Sequence, residues 1–430
     1  MKKSCRLIFQ SSVFGLVLVT LGSGCSLLPP FTKHLKGDRA FIAYWPPAKD
    51  SQKLRLAVKD NIDMKGVVTT AGSELFAKTH QPATEDAPCL AIARQRGVDI
   101  VGKANLSEFA LSPSGINVYY GTPKNPLNGR LKLIPGGSSC GSAVAVANGQ
   151  ADVAFGTDTA GSIRVPAACC GIVGLKTTFG LVSIKGVHPI DPQHLDTVGP
   201  MGKDIAHTVR GMDLLQNGFA SRYEVAKTAR PTAHSIRIGR LKLKGTDPNI
   251  DQAVDETLAK TGFQVVLLSE ELSKKWDQAK RDGNMIAAAG AWISDKQYRF
   301  ALGVAGRTKS AIFAGQLSVN TGYRKAVARQ DEWQNALLKV FRKVDFIALP
   351  TLQTTPPYIP PDLKIGLLEA RMLVLQNTVA VNFAGNPALA LPIPLRDGGV
   401  PVTSLQLIGP RLSEAQLLNA GRLVEAAVRE

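Results

Sequence analysis

Cysteine, histidine and long apolar runs are all scarce in this 430-residue chain, and each scarcity removes a class of function. The six cysteines are Cys5, Cys25, Cys89, Cys140, Cys169 and Cys170, and no Cys-x-x-Cys pair occurs among them. That speaks against a zinc ribbon, a redox motif or a disulfide framework. Adjacent Cys169 and Cys170 are poor partners for each other; with Cys89 and Cys140 they read as small buried apolar residues. The six histidines show neither His-x-x-x-His nor His-Glu-x-x-His spacing, so no metal site is expected. Aromatic residues make up only 6%, and no basic stretch is interleaved with them. Nucleic acid is therefore not the expected partner, despite a formal charge of +17. The charge reads as a dispersed solubilising surface, with an anionic lipid surface or cell-wall polymer as the alternative. At 44% hydrophobic and 20% charged, the chain has the composition of a globular protein.

The one apolar run of interest to a membrane lies at the N-terminus. Lys2, Lys3 and Arg6 precede an apolar stretch from Val13 to Leu21, and Gly22, Ser23, Gly24 and Cys25 follow. The run is short for a transmembrane helix and has the order of a targeting signal. It resembles a bacterial lipoprotein signal (residues 1–24), in which the cysteine, here Cys25, is lipidated and becomes the new N-terminus. The departure is Gly22, where that pattern usually has Leu. Ordinary secretion with cleavage nearby and a retained anchor stay open. Residues 25–37, with Pro29 and Pro30, read as a tether. The first two outcomes place the protein outside the cytoplasm, in the periplasm or beyond, and lipidation would anchor it to a membrane.

Further along, strand-like and helix-like segments alternate. Leu54–Val58 is an apolar strand running into Lys59, and Ala87–Arg96 is a helical pattern stopped by Gly97. Asp99–Val101 and Asp152–Phe155 are strand-like, and the Ala- and Val-rich Gly141–Asn148 ends at Gly149. The basic run Arg237–Lys244 alternates with apolar residues and predicts a half-buried strand with a charged outer face. Asp247 and Pro248 open a helix with Ile250, Val254 and Leu258 on one face; Gly262 stops it before a strand at Gln264–Leu268. Ala388–Leu395 and Thr403–Ile408 flank an Asp397-Gly398 turn and predict a hairpin. Ser413 and Gln416 suit a capping box for a final helix. The alternation predicts α/β layers around a sheet. Ser269–Phe341 reads as mostly helical and carries no recognisable chemistry.

The chemistry concentrates between Pro135 and Thr178, where two Gly/Ser loops bracket a helix and a strand. Glycines at 136, 137, 141, 156 and 161 allow backbone to approach a ligand and N–H groups to point into a site. A serine in such a loop can be exposed and ringed by donors, the two needs of acyl transfer. A phosphate cradle would need Lys then Ser or Thr closing the glycine run, and none follows. Gly137-Ser138-Ser139-Cys140-Gly141 fits the hydrolase elbow Gly-x-Ser-x-Gly, with Ser139 as nucleophile. That fold places its histidine near the end of the chain, but the last histidine here is His234. A purely structural turn would explain one loop, but not two loops together with Lys59.

These residues resemble the amidase-signature family. The likeness runs through Gly136, Gly137, Ser138, Ser139, Gly141 and Ser142, then Gly156, Thr157, Asp158, Thr159, Gly161, Ser162, Ile163 and Arg164. It continues at Pro166, Ala167, Cys170, Gly171, Gly174, Leu175, Lys176 and Thr178. Upstream, Val58–Asp63 and Thr69–Ser73 look like the family's lysine segment; Leu195–Met201, Ala384–Pro392 and Leu405–Pro410 look like its later landmarks.

The resemblance implies an α/β fold with α/β/α layers around a large mixed sheet, one domain spanning 38–430, and hydrolysis of a small-molecule amide. It implies Lys59 as base, Ser138 as a proton relay on a cis peptide, and Ser162 as nucleophile. The backbone N–H groups of Thr159, Ala160, Gly161 and Ser162 would form the oxyanion hole, and neither cofactor nor metal is implied. Lysine ordinarily titrates near ~10.4, so a lysine base requires burial to lower its pKa, and the apolar strand before Lys59 is compatible with that. Asp158 is expected to organise its loop, and Arg164 to be a structural ion-pair partner. Three departures stand out: Ala160 and Cys140 replace glycines and Cys169 replaces Phe. A methyl at Ala160 would be strained if the loop needs positive φ there. Two other readings are the amidase component of a glutamyl- or aspartyl-tRNA amidotransferase, and an inactive envelope-binding homologue. An export signal speaks against the first, and retention of all three catalytic residue types against the second. The substrate and the oligomeric state are not legible.

Overall fold

A computed structural model describes residues 37–127, 131–396 and 399–429. The targeting segment, Cys25, most of the tether and the Asp397-Gly398 turn lie outside them. Eleven strands form one sheet: β1 Phe41–Tyr44, β2 Arg55–Lys59, β3 Asp99–Ala104, β4 Val153–Asp158, β5 Val173–Lys176, β6 Thr197–Gly202, β7 Arg237–Arg240, β8 Gln264–Leu267, β9 Phe346–Pro350, β10 Ala388–Pro394 and β11 Val402–Ile408. Their order is β1-β3-β2-β4-β6-β5-β10-β11-β9-β7-β8. The sheet is mixed: β2 runs parallel to β3 and β4, and β7 parallel to β8 and β9. The strands from β4 through β6, β5, β10 and β11 to β9 pair antiparallel.

Both faces of the sheet are covered, as side-chain alternation along the strands requires. Leu56 and Val58 of β2 and Val153 and Phe155 of β4 join one core, built against the helices Ile205–Leu215, Pro248–Thr261 and Glu414–Arg429. Ala57 and Ala154 face the other way and pack with Ala143–Val146 of the helix Cys140–Ala147. The small side chains on that side let the helix lie close to the sheet. Further along the same chain, the helix Glu270–Asp295 brings Trp276 and Ile286 into a third cluster with Ile347 and Leu349 of β9.

The expected hairpin forms as β10 and β11, with Ala388 opposite Ile408. Asp247 caps its helix through Asn249 N–H at 2.9 Å, and Gly262 ends that helix at φ 81°. Two local expectations are corrected. The basic strand covers only Arg237–Arg240, and Arg240 is buried rather than on a charged outer face, pairing with Asp251 and Asp255. Ser413 donates its hydroxyl back to the Pro410 carbonyl at 2.7 Å instead of closing a capping box with Gln416. Among the described residues, no helix is long and apolar enough to cross a membrane.

Candidate active site

Strands β3, β2 and β4 run side by side in the same direction, and their carboxyl ends form the floor of the site. Ligands of open α/β sheets sit outside such ends. Lys59 is the last residue of β2 and is fully buried behind Leu56, Ala57 and Val58. Its Nζ lies 2.7 Å from Ser138 Oγ and 2.7 Å from Thr157 Oγ1. Desolvation lowers its pKa from the ordinary lysine value to about 7, with Cys140, Asp158 and Asp196 drawing it partly back up. No carboxylate pairs with it among the described residues.

The neighbouring carboxylate is occupied elsewhere. Asp60 is buried, and its Oδ1 lies 3.1 Å from Lys103 Nζ of β3. Its Oδ2 accepts from the Thr70 N–H at 3.1 Å and from the Thr70 hydroxyl. Asn61 follows, donating its amide to Thr157 Oγ1 at 3.1 Å. Thr157 is thus the junction between Asn61 and the Lys59 amine.

Ser138 comes from the loop that precedes the helix Cys140–Ala147, and the Gly137–Ser138 peptide is cis, the geometry the resemblance implies. The loop is held by Gly137 N–H on the Pro113 carbonyl at 2.8 Å and Ser107 N–H on the Ser138 carbonyl at 3.2 Å. A Cβ on Gly137 would collide with the Ser112 carbonyl oxygen, so only glycine fits. Ser139, the nucleophile of the elbow reading, is fully buried, with its hydroxyl on the Thr157 carbonyl at 3.3 Å. It is a structural serine.

Ser162 stands in the turn between β4 and the helix Arg164–Cys170 and is half-buried. The Ser139 N–H donates to its carbonyl at 3.1 Å, so the two serine loops are stitched together. Among the described residues no hydrogen bond joins the Ser162 and Ser138 hydroxyls. The amine–Ser138 contact is made, and Ser162 lies in the adjoining loop.

Asp158 and Arg164 shape that loop. Asp158 accepts from the N–H groups of Gly161 at 2.8 Å and Ile163 at 3.1 Å, and from Arg164 Nε at 3.0 Å and Nη2 at 2.9 Å. Burial pushes its carboxyl up, but Arg164, Lys176 and Asn382 outweigh that and hold it at about 2. Arg164, fully buried, also donates to the Thr378 carbonyl at 3.0 Å and to Gln406 Oε1 at 2.7 Å. Both residues act as the loop organisers the sequence suggested.

The four expected oxyanion donors differ in their surroundings. The Gly161 N–H is engaged by Asp158, leaving those of Thr159, Ala160 and Ser162 without a partner among the described residues. Ala160 is not among the residues at positive φ, which removes the strain expected of its methyl. Gly161 takes that role at φ 135°, and a Cβ there would collide with Thr378 Oγ1. Cys140 and Cys169 are free and buried, their thiols pushed up by desolvation, to about 12 for Cys140.

Sequence reasoning missed Thr157, Asn61 and the Asp60–Lys103 pair as parts of the site, although three of these four lie inside the quoted motifs. It also missed Asp196, which accepts from the Thr159 hydroxyl at 2.7 Å. A small pocket, with room for about a single water, adjoins these groups and is lined by Asn61, Thr157, Thr159, His188 and Asp196.

A desolvated amine on a serine hydroxyl, beside a rigid loop that offers a second serine and unpartnered N–H groups, defines a site for serine-based acyl transfer. The chain belongs to the amidase family, whose model matches residues 54–418. It is 32% identical over 414 residues to the GatA-type component of the glutamyl-tRNA(Gln) amidotransferase of Halobacterium salinarum, covering 86% of this chain and 94% of that one. It is 33% identical to a 2-amino-5-chloromuconic acid deaminase of Comamonas testosteroni, covering 87% and 81%. Among solved structures, the corresponding glutamyl-tRNA(Gln) amidotransferase component of Thermotoga maritima superposes with a TM-score of 0.73 at 25% identity, covering 90% of this chain and 87% of that one. The protein is an amide-hydrolysing enzyme built on the mixed α/β sheet of this family.

Proposed function

We propose that Ser162 is the nucleophile, Ser138 the proton relay and Lys59 the base of an acyl-enzyme mechanism. The observation that carries this reading is the fully buried Lys59 amine, 2.7 Å from Ser138 Oγ and without a counter-ion among the described residues. A neutral amine has one lone pair for the Ser138 hydroxyl and N–H groups for Thr157. As Ser162 Oγ bonds to the amide carbon, its proton passes to Ser138 and the Ser138 proton to Lys59. The carbonyl oxygen gathers charge against the N–H groups of Thr159, Ala160 and Ser162, and each such donor contributes on the order of 3 kcal/mol. The C–N bond then breaks as Ser138 hands a proton to the leaving nitrogen and regains one from Lys59. Water attacks the ester by the same route and frees the acid.

A fluorophosphonate probe followed by peptide mass analysis tests the assignment. Labelling at Ser162, lost in Ser162→Ala together with aryl-amide hydrolysis, is the expected result; labelling elsewhere moves the nucleophile.

Relatives named as amidotransferase components favour a second reading, in which released ammonia passes to a partner acting on charged tRNA. The basic-then-apolar N-terminus weighs against it, because an exported chain would not meet that substrate. We propose instead an extracytoplasmic enzyme whose signal, residues 1–24, is removed and whose Cys25 carries lipid. Cys25→Ala should leave the precursor unprocessed and abolish incorporation of labelled fatty acid. Unchanged processing would remove the lipid anchor from the account.

A further inference from the structure

The segment from Lys296 to Gln330 contains seven Lys or Arg residues and no Asp or Glu. The same segment exposes large apolar side chains: Phe300 is 72% exposed, Leu302 89%, Phe313 38% and Leu317 47%. They form a surface rather than scattered points. The Phe300 and Phe313 rings lie 5.4 Å apart, and the Trp292 ring is 6.3 Å from Phe313. Phe313 and Leu317 are one turn apart on the helix Gly306–Thr321. The Arg299 guanidinium lies over both Phe300, at 4.9 Å, and Trp292, at 5.8 Å. Exposed Lys296 lies at the start of the segment, and exposed Arg324 and Lys325 just beyond the helix.

An apolar cluster of this kind marks a binding face. Its chemistry separates the candidate partners. Protein interfaces are depleted in lysine, whereas Phe, Leu and Trp flanked by Lys and Arg suit the boundary between headgroups and acyl chains. Each basic residue near an anionic leaflet adds favourable energy, and the long basic stems keep their charge at the headgroups while the rings sink. We propose that this face docks on an anionic lipid bilayer.

The face is tied to the site. Glu108 accepts from the Ala305 N–H at 3.0 Å and the Thr308 hydroxyl at 2.6 Å, capping the helix Gly306–Thr321. Arg307 donates to the Ile116 carbonyl at 2.5 Å. The loop from Ser107 to Ile116 is the one that holds the Gly137–Ser138 strap. Docking therefore fixes the orientation of the catalytic loops relative to the lipid surface, and this holds whether or not Cys25 carries a lipid.

The test uses the full chain and vesicles of brominated phosphatidylcholine, alone or with about 30% phosphatidylglycerol. Tryptophan quenching should appear on the anionic vesicles and be weak on the neutral ones. Trp292→Phe should abolish it and Trp45→Phe should not, since Trp276 and Trp333 are buried. That pattern separates docking by this face from attachment through the N-terminal segment. Phe300→Asp with Phe313→Asp should end the quenching while leaving amide hydrolysis in solution unchanged. Lys296→Glu, Arg324→Glu and Lys325→Glu should each weaken binding about five-fold. Quenching that persists in Trp292→Phe, or that is equal on neutral vesicles, overturns the proposal. So does a change of oligomeric state in the Asp variant without vesicles, which would make a second copy the occupant.

Discussion

Two lysines with the same burial stand near the carboxyl ends of adjacent strands, and their surroundings give them opposite tasks. Lys103 of β3 faces Asp60 at 3.1 Å and donates to the Ile62 carbonyl at 2.5 Å, so its charge is answered. Among the described residues Lys59 of β2 hydrogen-bonds to hydroxyls alone through its amine, and desolvation brings its pKa to about 7. Burial without a counter-ion lowers a lysine's pKa, as it does at Lys176 too. The Lys176 amine, however, donates to the Thr177 and Asn386 carbonyls, whereas Lys59 lies against a serine hydroxyl, the contact the proposed base requires. Asp60 directly follows Lys59 in the chain, yet Lys103 and Thr70 hold it away. The Asp60–Lys103 ion pair thereby keeps the carboxylate off the amine that ends β2.

Three substitutions break or sharpen this contrast. Lys59→Met should lower kcat/KM by at least about 10²–10⁴-fold in steady-state kinetics, the range for loss of a general base. The same variant should be more stable near pH 7, by about a few kcal/mol in denaturant titrations. The sign follows from linkage. The lysine's folded-state pKa is depressed, so between about 7 and its ordinary value the unfolded chain binds more protons, and stability rises with pH across that window. Lys176, also buried and lowered to about 7, adds to the slope and remains in the variant.

Lys103→Met should act in the opposite sense, costing about 3–5 kcal/mol of unfolding free energy, because it strands the buried Asp60 carboxylate. Equal stability effects at the two lysines would refute the contrast. Thr157→Val should have the smallest effect, about ten-fold in kcat, through loss of one hydrogen bond that orients the amine. Its pH–rate limb should move while substrate KM holds. A change in KM alone would make Thr157 a substrate contact instead.

The candidate site was legible in the sequence where it is local. The Gly/Ser loops bring Ser138 and Ser162 near one another through a short helix and β4, and the apolar run before Lys59 announced its burial. The hairpin β10–β11 and the helix from Pro248 were equally readable, since caps and turn residues act within a few positions. What was illegible depends on distant partners. Arg240 looked like an outward-facing charge until the helix Pro248–Thr261 brought Asp251 and Asp255 over it. Arg164 is held by Thr378, Asn382 and Gln406, more than two hundred positions away. No local pattern announces Glu108 as the cap of a helix beginning at Gly306. The contact of the Asp158 side chain with the Gly161 N–H was equally unannounced.

The central claim is that Lys59 is a neutral amine near pH 7, acting on Ser162 through Ser138. The rate of fluorophosphonate labelling at Ser162, followed across pH, tests it most directly. The account predicts a rate that climbs through an apparent pKa of about 7 to a plateau, with no such limb in Lys59→Met. A limb only at the ordinary lysine value near ~10.4, or a profile unchanged by the substitution, would contradict it.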